Sequence, residues 1–424
     1  MANIGDRGER GAVRIGKRNR HTSRMPAPFP YWRISSFYFW YCAALGAFTP
    51  FFARWLHELG LEGMAIGTVM AMWYVSRVAA PPAWSALCAG SANPLRWLQW
   101  GCVAMTLCFA GFLVARGFWP LLLTMLAFGS FANAVLPQFE AITLDRLGAR
   151  RDNYGRVRLW GSLGFLAIAV GYGPLLDITG IAALPMLTLP LLAATCLAAL
   201  ANGRSAHALD DAPTASVGEI LRRSDVRAFF IVALLMQVGF GPFYVVFTLQ
   251  LGEHGHSGTV IGMLWGLGVV AEILVFLFMA ALWRRWNTQT IMLACLAVSA
   301  ARWAVVALLP DSLAAMVLAQ CAHALSFGAF HAACMQRVTE FFPGRLGQHG
   351  QGVLFGFSSG IGGVLGALMA GGLWQIGGGL AAFLAASAVC VLAWLIAWLT
   401  RIPNQPIPTA DSLSISAGSS LEPA

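Results

Sequence analysis

The chain reads as a succession of long apolar stretches separated by short polar ones. Twelve can be marked, at about 34–53, 64–87, 97–115, 118–143, 159–176, 181–201, 228–251, 259–281, 289–309, 312–335, 351–373 and 379–399. Each is close to the ~20 residues that a helix needs to cross a bilayer core. None alternates apolar and polar positions over ten residues, which excludes the pattern of a membrane β-barrel. Several contain Gly or Pro, which membrane helices tolerate. Composition agrees: 58% of residues are hydrophobic and 11% charged, against about 25% charged in a soluble protein. The pattern predicts an all-α membrane protein with twelve transmembrane helices in two six-helix halves.

The polar segments organise these stretches. Residues 203–227 form a polar central loop between an N-terminal half, 31–202, and a C-terminal half, 228–400. A 6+6 arrangement of this kind is the mark of parallel repeats in transporters. Residues 1–30 are a basic tail and 401–424 a Pro/Ser-rich one, both expected to be disordered. Met25, just before the first stretch, is an alternative start of translation. Of the 27 Lys and Arg residues, 23 fall on the side of the two termini and two, Arg54 and Arg116, on the other. This bias predicts that both termini are cytoplasmic. The net charge of +9 is then largely topology and requires no nucleic-acid partner. The nine Cys residues form no CxxC pair and lie in or beside apolar stretches, so they read as small buried hydrophobes and not as a metal site or disulfide framework.

Ionisable groups inside the stretches are the candidate chemistry, because each costs ~2.5 kcal/mol or more in a bilayer and tends to face a cavity or a partner. Glu272 lies near the centre of the eighth stretch and Arg302 near the centre of the ninth. They can form a structural ion pair, or a site where substrate competes for the arginine and so couples to protonation of the carboxylate. Trp265 shares a helical face with Glu272 and suits a ring-bearing substrate or simple packing. Arg77 in the second stretch, one turn from Trp73, can pair with Glu140 of the fourth or bind a substrate carboxylate; Asn133 is a further candidate there. His323 and His331, two turns apart in the tenth stretch, share a face and are candidates for a proton relay. Eight residues are too many for the pair to hold one zinc ion. Gln237 and Tyr244 bracket Gly239, Gly241 and Pro242 in the seventh stretch, which predicts a locally broken helix with inward polar groups. Gly356/Gly360 and Gly362/Gly366 in the eleventh are spaced for close helix approach.

The segment DNYGRVRLWGSLGF (152–165) reads physically as an interfacial anchor, with Arg156 and Arg158 at the membrane face. It also resembles the Tyr-Gly-Lys/Arg-x-Arg-x-Trp-Gly-Ser signature of a branch of the major facilitator superfamily. That branch includes the phenylpropionate permeases, with nucleoside– and oligosaccharide–proton symporters as relatives. IGMLWGLGVVAEILVF (261–276), Arg302–Trp303, His331, Gln237 and Tyr244 are similar to the phenylpropionate permease family in particular, over roughly 31–400. Two departures matter. The loop AGSANPLRW lacks the superfamily's usual acidic residue. Ser326 follows His323 by three where the oligosaccharide branch has a nearby carboxylate, so a sugar mechanism does not transfer.

The resemblance implies a proton-coupled secondary transporter of a bacterial-type inner membrane, working by alternating access and importing a small aromatic carboxylate. It uses the proton-motive force and no cofactor. Glu272, His323, His331 and Glu140 are the proton-coupling candidates; Arg77, Arg302, Trp73, Trp265, Gln237, Tyr244 and Asn133 the substrate-binding ones. The rivals are a nucleoside or sugar symporter and, in a different class, a non-transporting membrane sensor. A membrane-embedded enzyme would need a His/Asp or metal constellation at a membrane face, and ATP-driven transport a Walker motif. The sequence contains neither.

Overall fold

The computed structural model describes residues 29–88, 91, 93–148, 153–203, 217–343 and 346–400. The tail 401–424, nearly all of the tail 1–30, Met25 and most of the polar stretches at 89–92 and 203–216 lie outside the described residues. Among the described residues the chain is helical, with no strand. The first six segments are α1 (Tyr31–Glu58), α2 (Gly63–Cys88), α3 (Pro94–Ala110), α4 (Phe118–Leu147), α5 (Tyr154–Thr179) and α6 (Leu184–Ala201). A short helix, Val217–Arg222, precedes α7, which runs in three pieces: Ser224–Gly239, Gly241–Val245 and Phe247–Glu253. Then come α8 (Gly258–Arg285) and α9 (Thr288–Leu308). α10 joins Leu313–Cys321 to Phe330–Phe341 through a π-helical stretch, Ala324–Ala329. α11 starts at Gly347–Val353, passes through π-helical Leu354–Gly362 and continues to 376. Gly377 and Gly378 break the backbone, Gly378 at a φ of +61° that glycine adopts without penalty, and α12 runs from 379 to 400. By length and apolar composition alone, eight described helical runs are able to cross a membrane, and one of these, His349–Thr400, contains both α11 and α12.

Local chemistry sets the helix ends. Asn93, Ser257, Asn287 and Ser312 accept backbone N–H bonds at the starts of α3, α8, α9 and α10, satisfying donors that the helix leaves open. Pro242 and its flanking glycines divide α7 as the sequence predicts. Helices outrun the apolar stretches: α5 starts at Tyr154 and α7 at Ser224, five and four residues before the apolar runs. Hydropathy marks the part in hydrocarbon, whereas backbone hydrogen bonds carry the helix on through polar residues.

α1 packs on α5 and α6, α2 on α4, and α3 on α4 and α6; in the second half α7 and α9 pack on α12 and α8 on α10. The halves meet along two seams, α2 with α11 and α5 with α8. Both are built on glycine. A Cβ at Gly63 would stand 2.6 Å from the carbonyl oxygen of Gly371, and one at Gly67 2.6 Å from that of Ala367. On the other seam Gly173 and Gly258 press backbone to backbone. Asp177 fastens this second seam. Its carboxylate accepts the N–H groups of Gly258 and Thr259 and the Thr259 hydroxyl, each at 2.8 Å. All these contacts lie at one end of the bundle, the end away from the start of α1, where they hold the two halves together. Of the four glycines that the sequence marks in α11, Gly362 and Gly366 pack on α7 and Gly360 on Val78 of α2, while Gly356 has open space beside it.

Gly67→Val places a branched side chain against Ala367 and Gly371 and wedges that end open. Spin labels at Ile178 and Met263, both exposed, should report a longer distance in the variant; an unchanged distance distribution would mean that the seam does not hold this end shut.

A charged chamber between the halves

Arg302 is a deeply buried cation of the second half. It is 2% exposed and sits on α9 under the rings of Trp303, Phe243 and Phe240, at 4.2, 4.8 and 5.7 Å. Its NH1 donates to His323 Nδ1 (3.0 Å) and Ser326 Oγ (2.9 Å), and its NH2 to Gln320 Oε1 (3.3 Å). The pair with Glu272 that the sequence allowed is not formed. Gln320, His323 and Ser326 recur every three residues and offer one face of α10 to α9, so neutral acceptors fill the guanidinium fork. A ring nitrogen that accepts from a guanidinium must be unprotonated, which assigns His323 as neutral. Two buried donors of this cluster, Arg302 Nε and Gln320 Nε2, have no acceptor.

Glu272 is half-buried on α8, where Gly328 of α10 leaves room for its side chain. Among the described residues its carboxylate has no hydrogen bond or ion pair. The cation that acts on it is Arg158 of α5, from the other half. His331 shares a face with His323, as the spacing predicts, but Phe327 stands between them. The His323 ring stacks on Phe327 at 5.2 Å and Phe327 on His331 at 6.3 Å. The direct relay that the spacing suggests is therefore interrupted by an apolar ring.

In the first half, Arg77 donates from Nε to Asn133 Oδ1 at 3.2 Å and lies over the rings of Tyr74 and Trp73 at 5.5 and 5.9 Å. Asn133 in turn donates to the carbonyl oxygens of Trp73 and Gly129 and to Ser76 Oγ, tying α4 to α2. Arg77 does not meet Glu140, which is held by Arg158 at 3.6 Å and by the Tyr154 hydroxyl at 3.3 Å. Two turns separate Asn133 from Glu140 on α4, so the two residues face different partners. The terminal nitrogens of Arg77 have no hydrogen bond or carboxylate among the described residues, and the side chain is half-buried.

Tyr244 ties these groups into one place. Its ring lies against Phe240, Phe243 and Trp265, and Phe240 and Phe243 are the rings over Arg302. Trp265 is 5% exposed, packs on Phe243 at 4.3 Å, and donates to Thr248 Oγ1 at 3.3 Å. Thr248 in turn donates to the Pro50 carbonyl of α1. Trp73 is 7% exposed and packs among Phe48 and Phe128. Both tryptophans serve as walls of packed aromatic clusters. Gln237 lies beside Gly362 of α11, half-buried, with no hydrogen bond among the described residues.

Sequence reasoning passed over Arg158, Gln320 and Ser326 as site residues. Arg158 looked like an interfacial anchor; in the structure Arg156 is exposed and Arg158 turns inward over Tyr38. The usable signal was the helix itself. Residues two apart on a helix point about 200° apart, so both arginines cannot face the interface. No group of three or more His, Cys, Asp or Glu able to hold a metal occurs among the described residues.

Two helical halves joined along α2–α11 and α5–α8, with Arg77, Arg302 and Glu272 on membrane helices, fit the architecture of a secondary transporter. The chain belongs to the MFS_1-like family, whose model matches residues 31–385, and is a multi-pass membrane protein of the major facilitator type. It is 26% identical over 312 residues to the probable 3-phenylpropionic acid transporter of Escherichia coli (strain K12), covering 71% of this chain and 80% of that protein. It is 26% identical over 373 residues to the maltose permease of Geobacillus stearothermophilus, covering 85% and 92%. Among solved structures, the nucleoside transporter NupG superposes with a TM-score of 0.78 at 14% identity, over 88% of this chain and 99% of that one. This last likeness is one of fold.

Asn133→Leu keeps the volume of the side chain but removes its bonds to Trp73, Ser76 and Arg77. It should lower stability by about 1–3 kcal/mol, read as a lower midpoint of thermal unfolding in detergent; an unchanged midpoint would show that Asn133 does not join α2 to α4.

Proposed function

We infer that the protein carries a small aromatic carboxylate together with protons by alternating access. The observation that carries this reading is Arg77. A guanidinium in a membrane protein normally meets a carboxylate or a water-filled cavity. Arg77 is fixed through Nε by Asn133, and its two terminal nitrogens have no hydrogen bond or carboxylate among the described residues. A planar fork with both ends free is shaped for bidentate binding of a carboxylate. Arg302 is the weaker candidate for this contact, because its terminal nitrogens are engaged and aromatic rings cover it. Tyr74, whose ring lies 5.5 Å from the Arg77 guanidinium, is the nearest aromatic surface for the ring of a substrate bound there.

Glu272 is the proton carrier in this reading. It is a carboxylate in a membrane helix with no partner holding its charge, so losing or gaining a proton breaks no bond in the protein. His323, as an acceptor from Arg302, stays neutral and does not carry the proton; Glu140, paired with Arg158, holds the first half together. The Lys/Arg distribution favours a bacterial-type inner membrane with both termini in the cytoplasm. The Asp177 and glycine contacts of the seams would then lie at the outer end of the bundle. The likeness to a probable 3-phenylpropionic acid transporter supports the substrate class. The likeness to a maltose permease favours the neutral-sugar rival, against which stand two guanidinium groups without a carboxylate.

Proteoliposomes with a pH dye, given 3-phenylpropionate, uridine and maltose in turn, separate the readings. Protein-dependent proton movement is expected with 3-phenylpropionate alone. Arg77→Met should reduce it at least tenfold, and Glu272→Gln should abolish it. Proton movement with maltose or uridine and none with the acid would replace the carboxylate reading with the sugar or nucleoside one.

A further inference from the structure

A separate cavity lies at the end of the bundle opposite the glycine seams. α1 and α5 begin there side by side, and α4 ends next to them. Phe29, Tyr31, Leu147, Asn153 and Arg156 line a space of about 230 Å³ between these helix ends. Its inner wall is fixed. Leu147 is buried, and the Tyr31 hydroxyl accepts from Trp160 Nε1 at 3.0 Å and donates to the Arg156 carbonyl at 3.4 Å. Its polar side is unused. Arg156 is exposed, and its guanidinium has no hydrogen bond, ion pair or ring contact among the described residues. The Asn153 amide makes no hydrogen bond either and does not cap α5. The lining thus offers a cation and an amide donor beside apolar walls, with no acidic residue among those described.

The aromatic residues around it set its depth. Trp32, on the first turn of α1, is 68% exposed and packs edge-on against Tyr31 at 5.1 Å and Trp160 at 5.5 Å. Exposed tryptophans at the ends of membrane helices sit at the level of the lipid headgroups. Tyr31 and Arg156 each lie on the first turn of their helices, so the cavity opens at that level. The Lys/Arg distribution favours the cytoplasm for this end. Anionic lipids make that face of a membrane negative, and basic pockets between helices take their headgroups there.

We propose that this cavity binds the phosphate headgroup of an anionic phospholipid of the cytoplasmic leaflet. Arg156 holds the phosphate by a charge-assisted two-point contact, Asn153 donates a further hydrogen bond, and Phe29, Tyr31 and Leu147 cover the glycerol and the first methylenes. A zwitterionic headgroup carries its own cation beside the phosphate, which Arg156 repels. A free phosphate has the charge but nothing to set against the apolar walls. The site is independent of what the protein carries.

The test follows thermal unfolding of the full chain in detergent, stripped of lipid, as short-chain lipids are added. Dioctanoyl phosphatidylglycerol should raise the midpoint by several degrees and saturate, since a ligand that binds only the folded state stabilises it. Dioctanoyl phosphatidylcholine and glycerol 3-phosphate should each do far less. An equal rise with phosphatidylcholine would mean that chain burial alone acts, and an equal rise with glycerol 3-phosphate a site for a free anion; either overturns the proposal. Arg156→Gln should weaken phosphatidylglycerol binding roughly tenfold. Arg285, exposed at the same end of the bundle but outside the cavity, is the control, and Arg285→Gln should leave binding unchanged. Equal weakening in both variants would mean a diffuse charge effect and overturn the proposal. Native mass spectrometry of the unaltered protein with an equimolar mixture of the two lipids decides the matter if a variant does not fold. Selective retention of phosphatidylglycerol is expected, and equal retention of both would overturn the proposal.

Discussion

A guanidinium group inside a membrane has to be solvated by something, and much of this structure follows from how Arg158, Arg302 and Arg77 are solved differently. Arg158 has a carboxylate, Glu140. Arg302 has neutral acceptors on three sides and aromatic faces around it. Arg77 has one amide oxygen and then nothing. Support from the protein thus falls from an ion pair, to neutral acceptors, to a single amide oxygen. A group left short of partners by its own fold is one that binds what arrives.

The seams impose the complementary constraint. Helices in lipid gain little from apolar contact with one another, so close association needs small residues and hydrogen bonds. Gly63, Gly67 and Gly173 supply the first and Asp177 the second. The closest of these contacts lie toward one end of the bundle, and the seams run on inward through Gly363 on Tyr74, Gly360 on Val78 and Gly262 on Ala169. Within the halves, large interlocked aromatics such as Phe37 on Phe139 and Trp303 on Phe383 keep each unit rigid. Rigid units joined by thin seams rock rather than deform.

The fold was largely legible in the sequence because bilayer thickness imposes a length on apolar stretches, and length is easy to see. The break in α7 was legible from Pro242 and its glycines for a similar reason: the missing N–H acts locally. Pairing was not legible. Depth along a helix can be counted, but the rotation of a helix about its axis decides whether Arg302 meets Glu272 or Gln320, and Arg77 meets Glu140 or Asn133. That rotation is set by packing from several helices at once. The π-helical stretch in α10 compounds the difficulty, since it shifts the angular position of everything after it. Arg158 was misplaced because hydropathy ends the stretch at 159 while the helix goes on to Tyr154.

The two π-helical stretches, Ala324–Ala329 and Leu354–Gly362, have a consequence for how this chain can change by descent. A π-turn spends more residues per turn than an α-turn, so each stretch stores surplus length inside a continuous rod. Loss of a single residue there need not cut the helix; it can restore regular α winding with about the same total rotation, because the wider turns are what absorb the surplus residue. On α10 His331 and Arg337 would then keep their bearing, as Gln320 and His323 do. In a regular α stretch the same loss would turn every later side chain by about 100°, so these two stretches are places where the chain can shed a residue without re-aiming either end of the helix.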